Sequence, residues 1–273
     1  MKRLAMLIAY DGSKFFGWQI QIQSPTVQES LEKALSHIAK TKIKVIGAGR
    51  TDTGVHALGQ VAHFDFPIKM TTEQLKIALK SFIPHSIQVL DIVEVLPDFH
   101  ARYDALTRTY KYIITFNRTP FNCQYKSSFH RYRLDIEKMK ACIPFFLGEH
   151  DFTSFAKPNP DIKNYIANVY DLSIYNENDV ATASLPLTIK SQDIIIEITA
   201  NRFFHNMIRR IVGAMVSVSH KDLNPEIITE WLASKRHDQK NYFTATPNGL
   251  YLTKIVYPKS NPHNKDEYSS FLM

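Results

Sequence analysis

Asp52 and Arg50 stand two residues apart in the most glycine-dense part of the chain. Four of its nine glycines fall at positions 47, 49, 54 and 59. Glycine permits backbone shapes closed to other residues and lets a second molecule approach the main chain. An ionised aspartate in such a loop can act as a nucleophile, a base, a metal ligand or a turn former. The crowding by a ligand that the glycines suggest favours chemistry. Arg50 can reach a phosphate or hold Asp52 ionised; a solvated loop arginine is the plainer alternative.

Two further residues qualify. Tyr110 is flanked by Arg108 and Lys111 on a β-like run, and an aromatic among basic residues suits stacking on a base. Ordinary strand filling would give the same pattern. Arg209 shares the polar side of an otherwise apolar helix with Arg202, Asn206 and Gly213. If buried, it needs a carboxylate, and Asp52 would serve; a solvated helix face is the simpler account. Gly47-x-Gly49 lacks the third glycine and the following helix of a dinucleotide loop. A single Asp argues against a two-metal site. Cys123 and Cys142 have no ligand partners at zinc-site spacing.

The elements that must position these residues are read from periodicity. Strands are expected over 4–10, 42–46, 60–66, 87–95, 107–116, 127–133, 169–175, 194–199 and 249–257. Thr26 with Glu29, and Thr71 with Gln74, form capping boxes that open two helices. The second should turn Leu75, Ala78, Leu79 and Phe82 inward. Asp135 should cap a helix running to Leu147. Phe203 to Val218 reads as a helix with Phe204, Ile208, Ile211, Val212 and Met215 on one face, and another starts at Pro225. Strands and helices mix throughout, which makes an α+β protein. The expected division is 1–105 and 106–258, followed by a loose tail at 259–273.

With 273 residues, 44% hydrophobic and 22% charged, the chain can bury a substantial core. Its net charge is +7, from 12 basic against 10 acidic residues in 1–105 and 21 against 16 thereafter. A basic excess spread over the folded body suits a surface that meets phosphates. Two cysteines fit a reducing compartment. Met1 to Tyr10 makes a poor signal peptide and no run is long enough to span a membrane, so a cytoplasmic protein is expected.

A set of motifs resembles the tRNA pseudouridine synthase A family. It comprises Tyr10-Asp11-Gly12, Phe16-Gly17-Trp18-Gln19, Thr26-Val27-Gln28, Gly47 to Ala57, and Gly59-Gln60-Val61 with His63-Phe64. It continues with Phe99 to Arg102, Arg108-x-Tyr110-x-Tyr112, Gly148-x-His150-Asp151-Phe152, Asn206 to Gly213 and Gly249 to Leu252. The matches run in order through most of the chain. The resemblance implies an enzyme that isomerises uridine to pseudouridine at positions 38–40 of the tRNA anticodon stem-loop, without cofactor or metal. It implies two ferredoxin-like (RNA-recognition-motif-like) subdomains with joined, mainly antiparallel sheets and a cleft between them, and a homodimer binding tRNA across both subunits. By the same resemblance Asp52 is the nucleophile, Tyr110 stacks on the base, Arg209 partners the Asp, Leu250 walls the pocket and Arg50 helps displace the target base, the glycines letting the loop approach RNA closely and letting Arg50 move. Phe99, His100, Ala101, Arg102 and Tyr103 touch the anticodon arm, and Arg202 is expected to join them in binding RNA.

A paired uridine must leave its stack before its ring can be reworked, and the detached uracil must be kept captive in a dry pocket. Attack on C6, attack on C1′ and assistance to glycal formation all remain open for Asp52. A non-catalytic RNA-binding protein on the same scaffold is the alternative function.

Overall fold

In the opening strand, β1 (Lys2–Tyr10), Leu4, Met6, Ile8 and Tyr10 are buried, the alternate positions that face one side of a pleated strand. The structure is a computed structural model that describes residues 1–176 and 193–258. The tail expected at 259–273 and most of the 175–188 insert lie outside them. α1 (Val27–Ala39) starts where the Thr26 side chain accepts from the Glu29 N–H, and it buries Val27, Leu31, Ala34 and Leu35. Each large aliphatic side chain so buried stabilises the fold by roughly 1.5–3 kcal/mol. Lys40, left-handed at φ 53°, ends the helix.

α1 also explains why the strand expected over 42–46 shrinks to β2 (Ile46–Gly47). Glu32 Oε1 accepts the Val45 N–H and Gln28 Nε2 donates to the Val45 carbonyl, both at 3.0 Å. Helix side chains thus take the backbone groups that a strand partner would have taken. β3 (His56–Phe66) follows, then α2 (Thr72–Lys80) behind a complete Thr71–Gln74 capping box, then β4 (Ile87–Glu94). Leu75 and Leu79 point inward as expected. Phe82 does not: it is exposed and rests on the His37 ring, 4.6 Å between centroids.

β5 (Thr107–Ile114) leads into the second half, where α3 (Ile136–Lys140) is shorter than expected. The Pro144 ring cannot follow a helical Lys140, so the chain changes to a 3-10 turn at Ile143–Phe145. The strand expected at 127–133 is a single bridge between Ser127 and Ile114. Beyond it Phe129 and Tyr132, three residues apart, pack on one another and on Phe243, a turn spacing and not an alternation. β6 (Gly148–Asp151), β7 (Ile166–Asn176) and β8 (Ile194–Ala200) precede α4 (Met207–His220), α5 (Ile227–Ala233) and β9 (Leu250–Val256).

The fold is mixed α+β with mainly antiparallel strands and, among the described residues, five helices. It divides into two compact units: Met1–Arg108 with the described residues from Tyr251 onward, and Thr109–Leu250. In the first, the strands are ordered β4-β1-β3, and β2 and β9 share the remaining edge of β3. The closing strand, given by chain order to the second half, therefore pairs in the first unit: His56 sits opposite Tyr251 and Ala57 opposite Leu252, in parallel. In the second unit the order is β5-β8-β7-β6, with α4 buried along almost its whole length.

Candidate active site

The Asp52 loop is anchored on both sides of the aspartate. Thr51 is buried; its Oγ1 lies 2.8 Å from the Tyr10 hydroxyl and its carbonyl accepts the Trp18 N–H at 3.1 Å. The Asp52 carbonyl accepts the Val55 N–H at 3.1 Å, closing a turn in which Gly54 takes φ +79°, the value its third position needs in a type II turn. Before the turn, Ala48 donates to Val61 and Gln60 Nε2 donates to the Gly49 carbonyl, each at 2.8 Å. After it, buried His56 stacks on Tyr251 at 4.7 Å and accepts the Gly12 N–H on Nδ1 at 3.1 Å. The Asp11 carboxylate lies 3.3 Å from the same ring nitrogen. Asp52 is half-buried within this frame and Arg50 is exposed.

The supports Tyr10, Trp18, Gln60 and His56 escaped sequence reasoning as supports. Their signal was present, since they sit in the motif segments Tyr10-Asp11-Gly12, Phe16 to Gln19 and His56 to Val61.

The 99–103 stretch, in the same unit, is only partly turned outward. Within it Phe99 and Ala101 are buried. Ala101 is the anchor: its N–H donates to His63 Nδ1 at 3.1 Å and its carbonyl accepts from the Tyr257 hydroxyl at 2.6 Å. Burial pushes His63 down to about 4, with the positive charges of His100 and Arg3 adding to the effect. Tyr103, 77% exposed, stacks on half-buried His100 at 4.2 Å, and the exposed Arg102 guanidinium lies 6.0 Å from its ring.

Tyr110, Arg202, Arg209 and Leu250 belong to the second unit, whereas Asp52, Arg50 and residues 99–103 belong to the first. Tyr110 is buried with its ring edge-on to Phe203, 5.2 Å between centroids. Arg202 is exposed over the Phe204 ring. Arg209 is half-buried, not on a solvated helix face: its Nε donates to the Ala245 carbonyl at 2.6 Å and its Nη1 to Asn206 Oδ1 at 3.0 Å.

The strap from Phe243 to Leu250 that meets Arg209 is itself fixed. A Cβ on Gly213 of α4 would lie 1.9 Å from the Phe243 carbonyl oxygen. The Ala245 N–H donates to the Arg209 carbonyl at 3.0 Å. The Tyr112 hydroxyl, pushed up to about 12 by burial, donates to the Thr246 carbonyl at 2.9 Å. Asn248 Nδ2 donates to the carbonyls of Cys123 and Lys126. The strap thus sets both Arg209 and buried Leu250. Among the described residues no cluster of His, Cys, Asp or Glu could hold a metal ion, and no helix is long and apolar enough to cross a membrane.

The chain matches a family described as tRNA pseudouridine synthase over residues 6–104 and 143–258. A tRNA pseudouridine synthase A of Listeria monocytogenes serovar 1/2a is 36% identical over 261 residues, 94% of this chain and 100% of that protein. One from Thermoanaerobacter sp. strain X514 is 38% identical over 258 residues, again 94% and 100%. One from Prochlorococcus marinus strain MIT 9312 is 36% identical over 279 residues, 100% and 98%.

Proposed function

The chain belongs to the tRNA pseudouridine synthase family, and we propose that its reaction, the isomerisation of uridine to pseudouridine in tRNA, is carried out by Asp52 on uridines 38, 39 and 40 of the anticodon stem-loop. The N1–C1′ bond breaks and a C5–C1′ bond forms; C5 gives up its proton and N1 finishes with one, so nothing is gained or lost. Such a reaction needs a carboxylate placed to within a fraction of an ångström, and the observation that carries the assignment is the anchoring of Asp52. Buried Thr51 stands on one side of it and the Gly54 turn on the other, and together they fix the backbone from which the carboxylate projects.

In this reading Tyr110 stacks on the uracil, Arg209 answers the charge of the Asp52 carboxylate and Leu250 walls the pocket. Arg50 reaches toward the displaced strand. Outward-turned His100, Arg102 and Tyr103, with Arg202, meet the RNA backbone and unpaired bases. The β1-α1-β2-β3-α2-β4 order of the first unit supports an RNA-recognition-motif-like scaffold there. The reading extends to a cytoplasmic homodimer that binds tRNA across both subunits.

The test is incubation of unmodified tRNA with the protein, followed by carbodiimide-blocked primer extension. New stops in the anticodon arm are expected from wild type and none from Asp52→Ala. An active Asp52→Ala would remove Asp52 from the mechanism; stops confined to other tRNA arms would move the substrate site.

A further inference from the structure

Asn206 is unusual for the place it occupies. It precedes α4 with φ 66° and ψ −1°, in the left-handed region, where glycine is the residue of least cost. Asparagine is a common helix N-cap because its side chain accepts from the first-turn N–H groups, but the Asn206 side chain makes no such bond. The backbone conformation admits glycine and asparagine alike, and capping does not use the amide. What the side chain does is accept from Arg209 Nη1 at 3.0 Å.

That bond adds to the fixing of Arg209. The Arg209 Nε–Ala245 carbonyl bond at 2.6 Å holds the inner edge of the guanidinium. A second bond, from a different nitrogen to Asn206, sets the plane of the group as well. A planar donor fork is useful only when its plane is set, and a functional side chain is precise only when its neighbours lock it. The Asn206 backbone is itself held, because its carbonyl accepts the Arg210 N–H at 2.9 Å.

We propose that Asn206 is a positioning residue for uridine isomerisation, acting through the plane of the Arg209 guanidinium. The proposal rests on the reading that Arg209 serves the reaction.

Asn206→Gly isolates the side chain, since glycine accepts the left-handed backbone without strain and removes only the acceptor. Asn206→Asp keeps an acceptor at the same atom and tolerates the same conformation. For N206G the expected result is a fall of about tenfold in kcat, the size of one lost hydrogen bond to a charged group. KM and Kd for tRNA should stay at wild-type values, and N206D should retain kcat within about twofold. Adding N206G to Arg209→Lys should cost little more than R209K alone, as for two residues acting as one unit.

A merely structural role predicts the opposite: N206G at wild-type kcat with only its Tm lowered. That result, or losses that multiply in the double variant, overturns the proposal. A wild-type kcat in Arg209→Ala would overturn the underlying reading of Arg209, and this proposal with it.

Discussion

Replacing Gly213 by alanine sets two well-measured effects against each other. Gly213 lies inside α4, and Gly→Ala in a helix interior ordinarily stabilises by about 1 kcal/mol through the cost of ordering a glycine backbone. Here the new methyl would stand 1.9 Å from the Phe243 carbonyl oxygen. To reach ordinary contact at 3.4 Å the strap would have to retreat by about 1.5 Å. A backbone oxygen cannot rotate away as the tip of a flexible side chain can. Overpacking of this kind costs about 1–3 kcal/mol. The same retreat opens the clasp two residues on, where Arg209 Nε donates to Ala245 and Ala245 donates back to Arg209. A charged hydrogen bond contributes about 1.5–3 kcal/mol and a neutral one about 1. The losses exceed the helical gain, so Gly213→Ala should destabilise by about 2.5–6 kcal/mol, read as a lower urea midpoint at unchanged m-value. Because the clasp sets Arg209, kcat should fall as well. A variant as stable as wild type, or more so, would show that helix propensity outweighs the contact and that the strap is not held against α4.

Two further outcomes follow from buried charge. His63, pushed from 6.5 to about 4 by burial, stays neutral in the fold while the unfolded chain takes up a proton below about pH 6.5. Its contribution is therefore fully present above pH 6.5 and is lost as the pH falls toward 4, on the order of 3 kcal/mol in all. The unfolding free energy measured by urea at each pH should fall through that window, and His63→Gln should flatten the fall; parallel curves would refute the assignment. Lys126 and Asp193, 4% and 2% exposed, pair at 2.6 Å in the second unit. Removing one partner of such a pair is expected to cost about 3 kcal/mol, and replacing both by apolar residues much less. Urea melts of D193N and of K126M/D193L measure this, and a double variant no better than the single one would refute it.

Much of the fold was legible where one physical cause acts alone. The strand over 4–10 and the Thr71–Gln74 capping box depend on neighbours in sequence and are found as expected. The failures occur where a distant group takes over. Glu32 and Gln28 claim the backbone of Val45, and Phe243 draws Phe129 and Tyr132 into a turn. α4 begins at Met207 and not at Phe203 because Asn206 is left-handed. Arg209 shows the same limit at the site. Its polar neighbours suggested a solvated face, but the main chain of Ala245, 36 residues away, occupies it.

The glycines of the Asp52 loop carry a different meaning once the contacts are known. Their density suggested a loop open to RNA and free to move Arg50. A Cβ on Gly47 would lie 2.6 Å from the Trp18 indole, and one on Gly59 would lie 2.3 Å from the Thr253 carbonyl oxygen. These two spaces are already filled from within the first unit, so at these positions glycine permits close internal packing and not ligand approach. Gly54 is needed for its φ of +79° in the turn after Asp52. If Asp52 serves the reaction as proposed, an aspartate framed in this way loses little conformational freedom on binding substrate, because its backbone was ordered on folding. Glycine density here therefore marks preorganisation, and the mobile part of the site is to be sought in exposed side chains such as Arg50, Arg102 and Tyr103.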